Sequence, residues 1–229
     1  MSRNRFAALQ SEVVGCRRCA RLTAYREQVA RERVRRFQDQ SYWGKPVPSF
    51  GDPAARLLLV GLAPAAHGGN RTGRIFTGDR SGDFLFAALY RAGFSNQPGS
   101  VHAGDGLALR DAYVTASVRC APPDNEPLPA EFAACRPYLI RELQSFDCLR
   151  VILALGGIAW TQVLFAWEGL GRPIPKKRPP FAHGAQAELS KAVTLLGAYH
   201  PSQRNTQTGL LTPAMFDAVL EMARRHLAH

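Results

Sequence analysis

The chain has 229 residues, with 29 Lys and Arg against 18 Asp and Glu and a formal net charge of +11 at pH 7. That length suits one well-packed domain and is short for two. The basic excess points to a polyanionic partner, because Arg and Lys neutralising phosphates supply most non-specific affinity for DNA; a solvated basic face or contact with an anionic membrane surface would give the same charge. No uninterrupted apolar run is long enough to span a bilayer. The opening MSRNRFAALQSEVVGC has scattered charges and no apolar centre. The expectation is therefore a cytoplasmic protein, off the membrane, whose five cysteines are not first read as disulfides.

In chain order, Cys16-Arg-Arg-Cys19 leads into a charged helix ending near Phe37. Its arginines at 31, 33, 35 and 36 read as a solvated face ahead of a phosphate contact. Residues 42–48 form an extended Pro-rich connector whose aromatics cover the core. Leu57–Val60 is a strand buried on both faces, and a long loop follows it. Asp83–Ala92 is a helix closed by Gly93. Tyr113–Val118 is a second strand running into Arg119-Cys120-Ala121-Pro122-Pro123-Asp124-Asn125. Glu131–Phe146 reads as a helix, Val151–Leu155 as a strand, and Gly156-Gly157 turns into a helix through Phe165. A basic Pro-rich loop spans 173–180. Val193–Leu196 is the fourth strand, with Tyr199-His200-Pro201-Ser202 at its end. The last helix covers roughly Thr212–His226, with Thr212 as N-cap and Pro213 at its first position. Alternating strands and helices predict a parallel sheet with helices on both faces, in one α/β domain over 1–229 with an N-terminal extension.

The stretch 57–82 organises the rest. After the strand stops at Gly61, the loop holds Gly68, Gly69, Gly73, Gly78 and Pro64 among His67, Asn70, Arg71, Thr72, Arg74, Phe76, Thr77 and Asp79. It matches neither G-x-x-x-x-G-K-[ST] nor G-x-G-x-x-G, so a nucleotide-phosphate site is disfavoured. Loops at the carboxyl ends of parallel strands carry the sites of open α/β sheets. Three such loops offer Asp79, Asn125 and His200. Each also has a plain structural reading: a helix N-terminal carboxylate, a turn residue, and a hydrogen-bonded histidine.

Four cysteines fall into groups, Cys16 with Cys19 and Cys120 with Cys135. Four thiols in a cytosolic chain suggest metal. Spacing leaves an iron–sulfur cluster and zinc level, with unliganded thiols behind. Cys148 reads as a small buried hydrophobe.

The loop GLAPAAHGGNRTGR with FTGD, then Val118-Arg119-Cys120-Ala121-Pro122-Pro123, then His200-Pro201-Ser202 with Asn205 and Thr208-Gly209, resembles a family 5 (type b) uracil-DNA glycosylase, an iron–sulfur branch of that superfamily. The likeness covers nearly the whole chain. It implies a three-layer α/β/α sandwich around a four-stranded parallel sheet, with the N-terminal extension tied by a structural [4Fe-4S] cluster on Cys16, Cys19, Cys120 and Cys135. It also implies hydrolysis of the N-glycosidic bond of a deaminated base flipped out of single- or double-stranded DNA. Asp79 would activate water, His200 would hydrogen-bond the leaving base, and Phe76 would stack on it. Asn125 would help hold base or water, while Gly61, Leu62, Ala63 and Ala116 complete the base pocket. Arg71, Arg74, Ser202, Arg204 and Asn205 would contact DNA. Leu62 stands where the related family 4 has an acidic residue. Ala116, after Thr115, stands where those relatives have a base-reading Asn. Relaxed specificity follows, extending to hypoxanthine and some modified pyrimidines. The competing readings are a non-catalytic damaged-DNA reader and a strictly uracil-specific enzyme. A monomer is expected.

Overall fold

A computed structural model describes residues 2–174 and 178–228. The centre of the basic Pro-rich loop, 175–177, lies outside the described residues. The order of elements is α1 (Ser2–Val14), α2 (Ala20–Glu32), β1 (Phe50–Gly51), β2 (Leu57–Gly61), α3 (Gly69–Thr72), α4 (Arg80–Arg91), β3 (Ala112–Ala116), α5 (Pro129–Ser145), β4 (Val151–Leu155), α6 (Gly157–Gly169), β5 (Gln186–Ser190), β6 (Val193–Ala198), α7 (Gln203–Gln207) and α8 (Pro213–Leu227), with short 3₁₀ turns at Arg35–Phe37 and Pro123–Asn125.

Strands β2, β3 and β4 are buried at every position and β6 at all but one, which is why their sequences lack polar alternation. Period-two geometry sends alternate side chains to opposite faces. Leu57 and Leu59 of β2 pack with Leu85, Phe86 and Leu89 of α4 and with Phe216, Val219 and Leu220 of α8. Leu58 and Val60 pack with Leu139 and Leu143 of α5 and with Trp160, Val163, Leu164 and Trp167 of α6. The result is a three-layer sandwich. Each such buried leucine is worth about 1.5–3 kcal/mol relative to an exposed one.

The sheet order is β1-β3-β2-β4-β6-β5. Its middle four strands are parallel, as expected, with Gly61 opposite Ala116, Leu57 opposite Val151, and Leu155 opposite Ala198. The expected four-stranded sheet is extended by antiparallel edges: β1 on β3 and β5 on β6. The charged helix ends at Glu32 rather than near Phe37, because Arg33 takes a positive φ of 51°. Helix α1 adds to the expected elements and lays Phe6, Leu9 and Val13 on the body of the domain. Cys148 is exposed, correcting the expectation of burial, because α5 stops at Ser145 and the chain turns outward there. Among the described residues no helix is long and apolar enough to cross a membrane.

Candidate active site

A cavity of about 740 Å³ opens at the carboxyl ends of the four parallel strands. Each strand contributes. Leu62 and Ala63 follow β2, Asn125 follows β3, Ile158 follows β4, and His200 and Ser202 follow β6. Phe76 and Asp79 enter from the loop between β2 and α4. The three polar groups expected to converge therefore line one cavity.

Phe76 has φ +50°, a conformation that bulky side chains rarely adopt and that concentrates at functional sites. It is fixed from two sides. Its carbonyl closes on Gly82, where any side chain would overlap it, and its ring covers Gly61, where an added Cβ would come within 2.8 Å of ring carbons. The ring sits 5.9 Å from that of His200, centroid to centroid, with the planes 34° apart. Gly61 and Ala116 thus belong to the layer beneath Phe76 and not to the cavity wall.

Asp79 is the N-cap of α4: its Oδ1 accepts from the Gly82 amide at 2.9 Å. Its Oδ2 lies against Gly68, where a Cβ would overlap the carboxylate. Burial pushes the Asp79 carboxyl above its usual pKa, with Asp83 adding to the rise, while the Gly82 and Ser81 amides and Arg71 pull it back. A carboxylate in this position is a strong proton acceptor. Burial also holds His200 down at about 4, so its imidazole is neutral at pH 7. The His200 carbonyl accepts from the Ser202 amide at 2.7 Å and from Asn205 Nδ2 at 2.9 Å, which fixes the loop. Asn125 has φ +60° directly after Asp124 at φ +55°, a local twist that carries it to the cavity mouth.

The expected DNA contacts divide. Arg204 is exposed at the cavity edge, with no side-chain partner among the described residues. Ser202 caps α7 through Oγ, and Asn205 spends its amide on His200; both position the loop. Arg71 and Arg74 are corrected. Arg74 is buried and pairs with Asp105 at 2.7 Å, with further bonds to Thr77 and Ser100. Arg71 is buried and donates to the His67 carbonyl at 2.7 Å, Gln40 Oε1 at 2.6 Å and the Gly78 carbonyl at 2.8 Å. Donors committed to internal acceptors are not available to phosphates. Sequence reading missed Ile158, 51% exposed at the cavity; the Gly156-Gly157 turn at the end of β4 was its signal.

Among the described residues no three His, Cys, Asp or Glu side chains stand together as ligands of a single ion. The four grouped cysteines nevertheless share one neighbourhood. Cys120 and Cys135 are buried, Cys16 and Cys19 half-buried, and Cys16 acts electrostatically on the other three. Burial pushes Cys120 up to about 12 and Cys135 up to about 11, so both stay protonated at pH 7 unless a metal binds them. Beside them lies Arg26, 1% exposed, with Nη1 on Cys120 Sγ at 3.3 Å and Nε without a hydrogen-bond partner. A buried guanidinium facing soft donors fits a site that carries net negative charge when its thiolates hold metal.

A profile of the Uracil DNA glycosylase superfamily matches residues 48–224. A type-5 uracil-DNA glycosylase of Mycobacterium tuberculosis is 53% identical over 211 residues, covering 92% of this chain and 77% of the relative. One from Thermus thermophilus is 50% identical over 218 residues, 95% of this chain and 96% of the relative. A type-4 uracil-DNA glycosylase of Archaeoglobus fulgidus is 32% identical over 157 residues, 68% and 70% of the two chains. With a net charge of +11 and a cavity at the strand ends lined by a half-buried carboxylate and a neutral histidine, the chain belongs to the uracil-DNA glycosylase superfamily.

Proposed function

We propose that this protein is a monofunctional DNA glycosylase that hydrolyses the N-glycosidic bond of uracil in DNA, and of hypoxanthine and some modified pyrimidines, leaving an abasic site. The observation that carries the reading is the convergence of Asp79, Asn125 and His200 around Phe76 in one cavity. The duplex hides the scissile bond, so the nucleotide is extruded into the cavity and its base stacks on Phe76. As the base departs with its electron pair, positive charge grows on the sugar. The Asp79 carboxylate offsets that charge and takes a proton from the attacking water, a contribution of about 10²–10⁴-fold. Neutral His200 donates a hydrogen bond to the base oxygen that gains negative charge. Asn125 steadies base or water, and Arg204 contacts the backbone. Among the described residues no lysine lines the cavity, which fits attack by water rather than by an amine.

Relaxed specificity rests on Ala116. The strand end beneath Phe76 offers no amide to pair with the uracil edge, which removes one polar demand that would reject an analogue. Cys16, Cys19, Cys120 and Cys135 would hold a [4Fe-4S] cluster, which supplies a structural clamp between the N-terminal segment, the end of β3 and α5. The protein is taken to act on DNA as a monomer.

The test is excision from matched duplexes carrying uracil, hypoxanthine or thymine, read by alkali cleavage of abasic sites. Release of uracil and hypoxanthine supports the proposal; release of uracil alone removes the argument from Ala116; no release despite tight binding favours a damage reader. Iron and sulfide analysis of the anaerobically purified chain and its Cys120→Ala variant tests the cluster separately.

A further inference from the structure

The bonds made by Arg71 do more than remove it from the DNA surface. Its Nε holds the carbonyl of His67 and its Nη2 the carbonyl of Gly78, at 2.7 and 2.8 Å. The residues that follow those two carbonyls are Gly68 and Asp79, and these two are in contact. One guanidinium thus fixes the separation of the two strands of loop that form the slot for the Asp79 carboxylate. The clamp is itself held: Arg71 lies over the Phe37 ring at 3.9 Å and on Gln40 at 2.6 Å, both outside the loop. Gly78 has φ +74°, and a side chain there would overlap Arg71. Among the described residues Arg71 forms no ion pair within 4.0 Å; its buried charge rests on the Phe37 ring and on the three oxygens it donates to.

We propose that Arg71 is the positioning residue for Asp79: it bridges the two loop carbonyls that set the carboxylate in its slot, and it supplies positive charge to a site otherwise short of it. The inference rests on the assignment of water activation to Asp79. The groups that share the surroundings of Asp79 are Asp83, Arg80 and the Ser81 and Gly82 amides of α4, His200 after β6, Arg204 of α7, Asn125 after β3, and Arg71 itself, which in turn faces His67, Tyr42 and Arg36. Asp83 opposes ionisation. Arg80 and Arg204 are exposed, where solvent screens them. Arg71 is the buried cation.

The test compares Arg71→Lys, Arg71→Met and Asp79→Asn with the unaltered protein in single-turnover excision of uracil at saturating enzyme. It adds duplex affinity against salt, the pH profile of the rate, and circular dichroism to select conditions where each variant is folded. A slot shifted by about 1 Å costs on the order of 100-fold in rate. Arg71→Met is expected to lose that much, with duplex affinity and its salt slope unchanged and the acid limb moved to higher pH. Arg71→Lys keeps the charge, so its limb stays in place while the rate falls. Added guanidinium ion is expected to restore part of the rate of Arg71→Met. Weaker binding with a salt slope reduced by about one, and an unchanged rate at saturation, would make Arg71 a phosphate contact and overturn the proposal. Asp79→Asn at full rate would overturn the reading of the site beneath it. An inactive Asp79→Asn beside an Arg71→Met of normal rate and profile would overturn the Arg71 proposal alone.

Discussion

Asp79→Asn separates what the carboxylate does for the fold from what it does for the reaction. In the fold Asp79 caps α4 through Oδ1 on the Gly82 amide. Asn caps as well as Asp, whereas losing the cap to Ala costs about 1 kcal/mol. Burial has raised the carboxyl above its usual pKa, so ionisation at neutral pH costs folding stability, about 1.4 kcal/mol per unit of elevation. A raised folded-state pKa favours the protonated form; the stability it contributes is complete below the unfolded pKa of 3.8 and is lost as pH rises through the folded value. Asn carries no such penalty. Asp79→Asn is therefore expected to be at least as stable as the unaltered protein at pH 7, with the difference vanishing below pH 3.8. Its excision rate should fall by about 10²–10⁴-fold, or roughly 3–5 kcal/mol of transition-state stabilisation. Urea unfolding at the two pH values and single-turnover excision measure both quantities. An Asn variant that excises uracil undiminished would refute the catalytic role, and one destabilised as much as Asp79→Ala would refute the capping argument.

Further outcomes follow from the same geometry. Gly68→Ala places a methyl group in the space of the Asp79 carboxylate and should cut excision sharply, while Gly99→Ala, which meets nothing within 4 Å, serves as an unaffected control. His200 is held at about 4, so the excision rate should show no limb near 6.5, and the stability that the neutral ring contributes should be present above pH 6.5 and lost as pH falls toward 4; a limb at 6.5 would contradict the neutral donor. Arg119 and Glu142 form a buried pair at 2.5 Å, with side chains 3% and 0% exposed. Arg119→Met should cost about 3–5 kcal/mol by urea unfolding, and replacing both partners with apolar residues should recover much of that.

The parallel core was legible because β2 and β4 are uninterrupted apolar runs bounded by loops, and β4 falls on the residues expected. The edges were less so. β1 is two residues long, too short for any period, and β5 hides a regular exposed–buried alternation in QAELS. Helix α1 was marked only by Phe6, Leu9 and Val13 in a polar segment. At the site, Asp79, Asn125 and His200 were visible because each follows a strand. Arg71 and Arg74 were misjudged because an arginine in a glycine-rich loop has the same sequence signature whether it meets a phosphate or a carbonyl. Only the fold brings Asp105, Gln40 and Gly78 to them.

The most direct measurement is incubation of the protein with a uracil-containing duplex, with the released product identified by mass spectrometry and a parallel sample treated with borohydride. The account predicts free uracil, an intact but alkali-labile strand, and no protein–DNA cross-link, since water attacks and, among the described residues, no lysine lines the cavity. Retention of uracil by a folded protein, or a borohydride-trapped adduct, would contradict it.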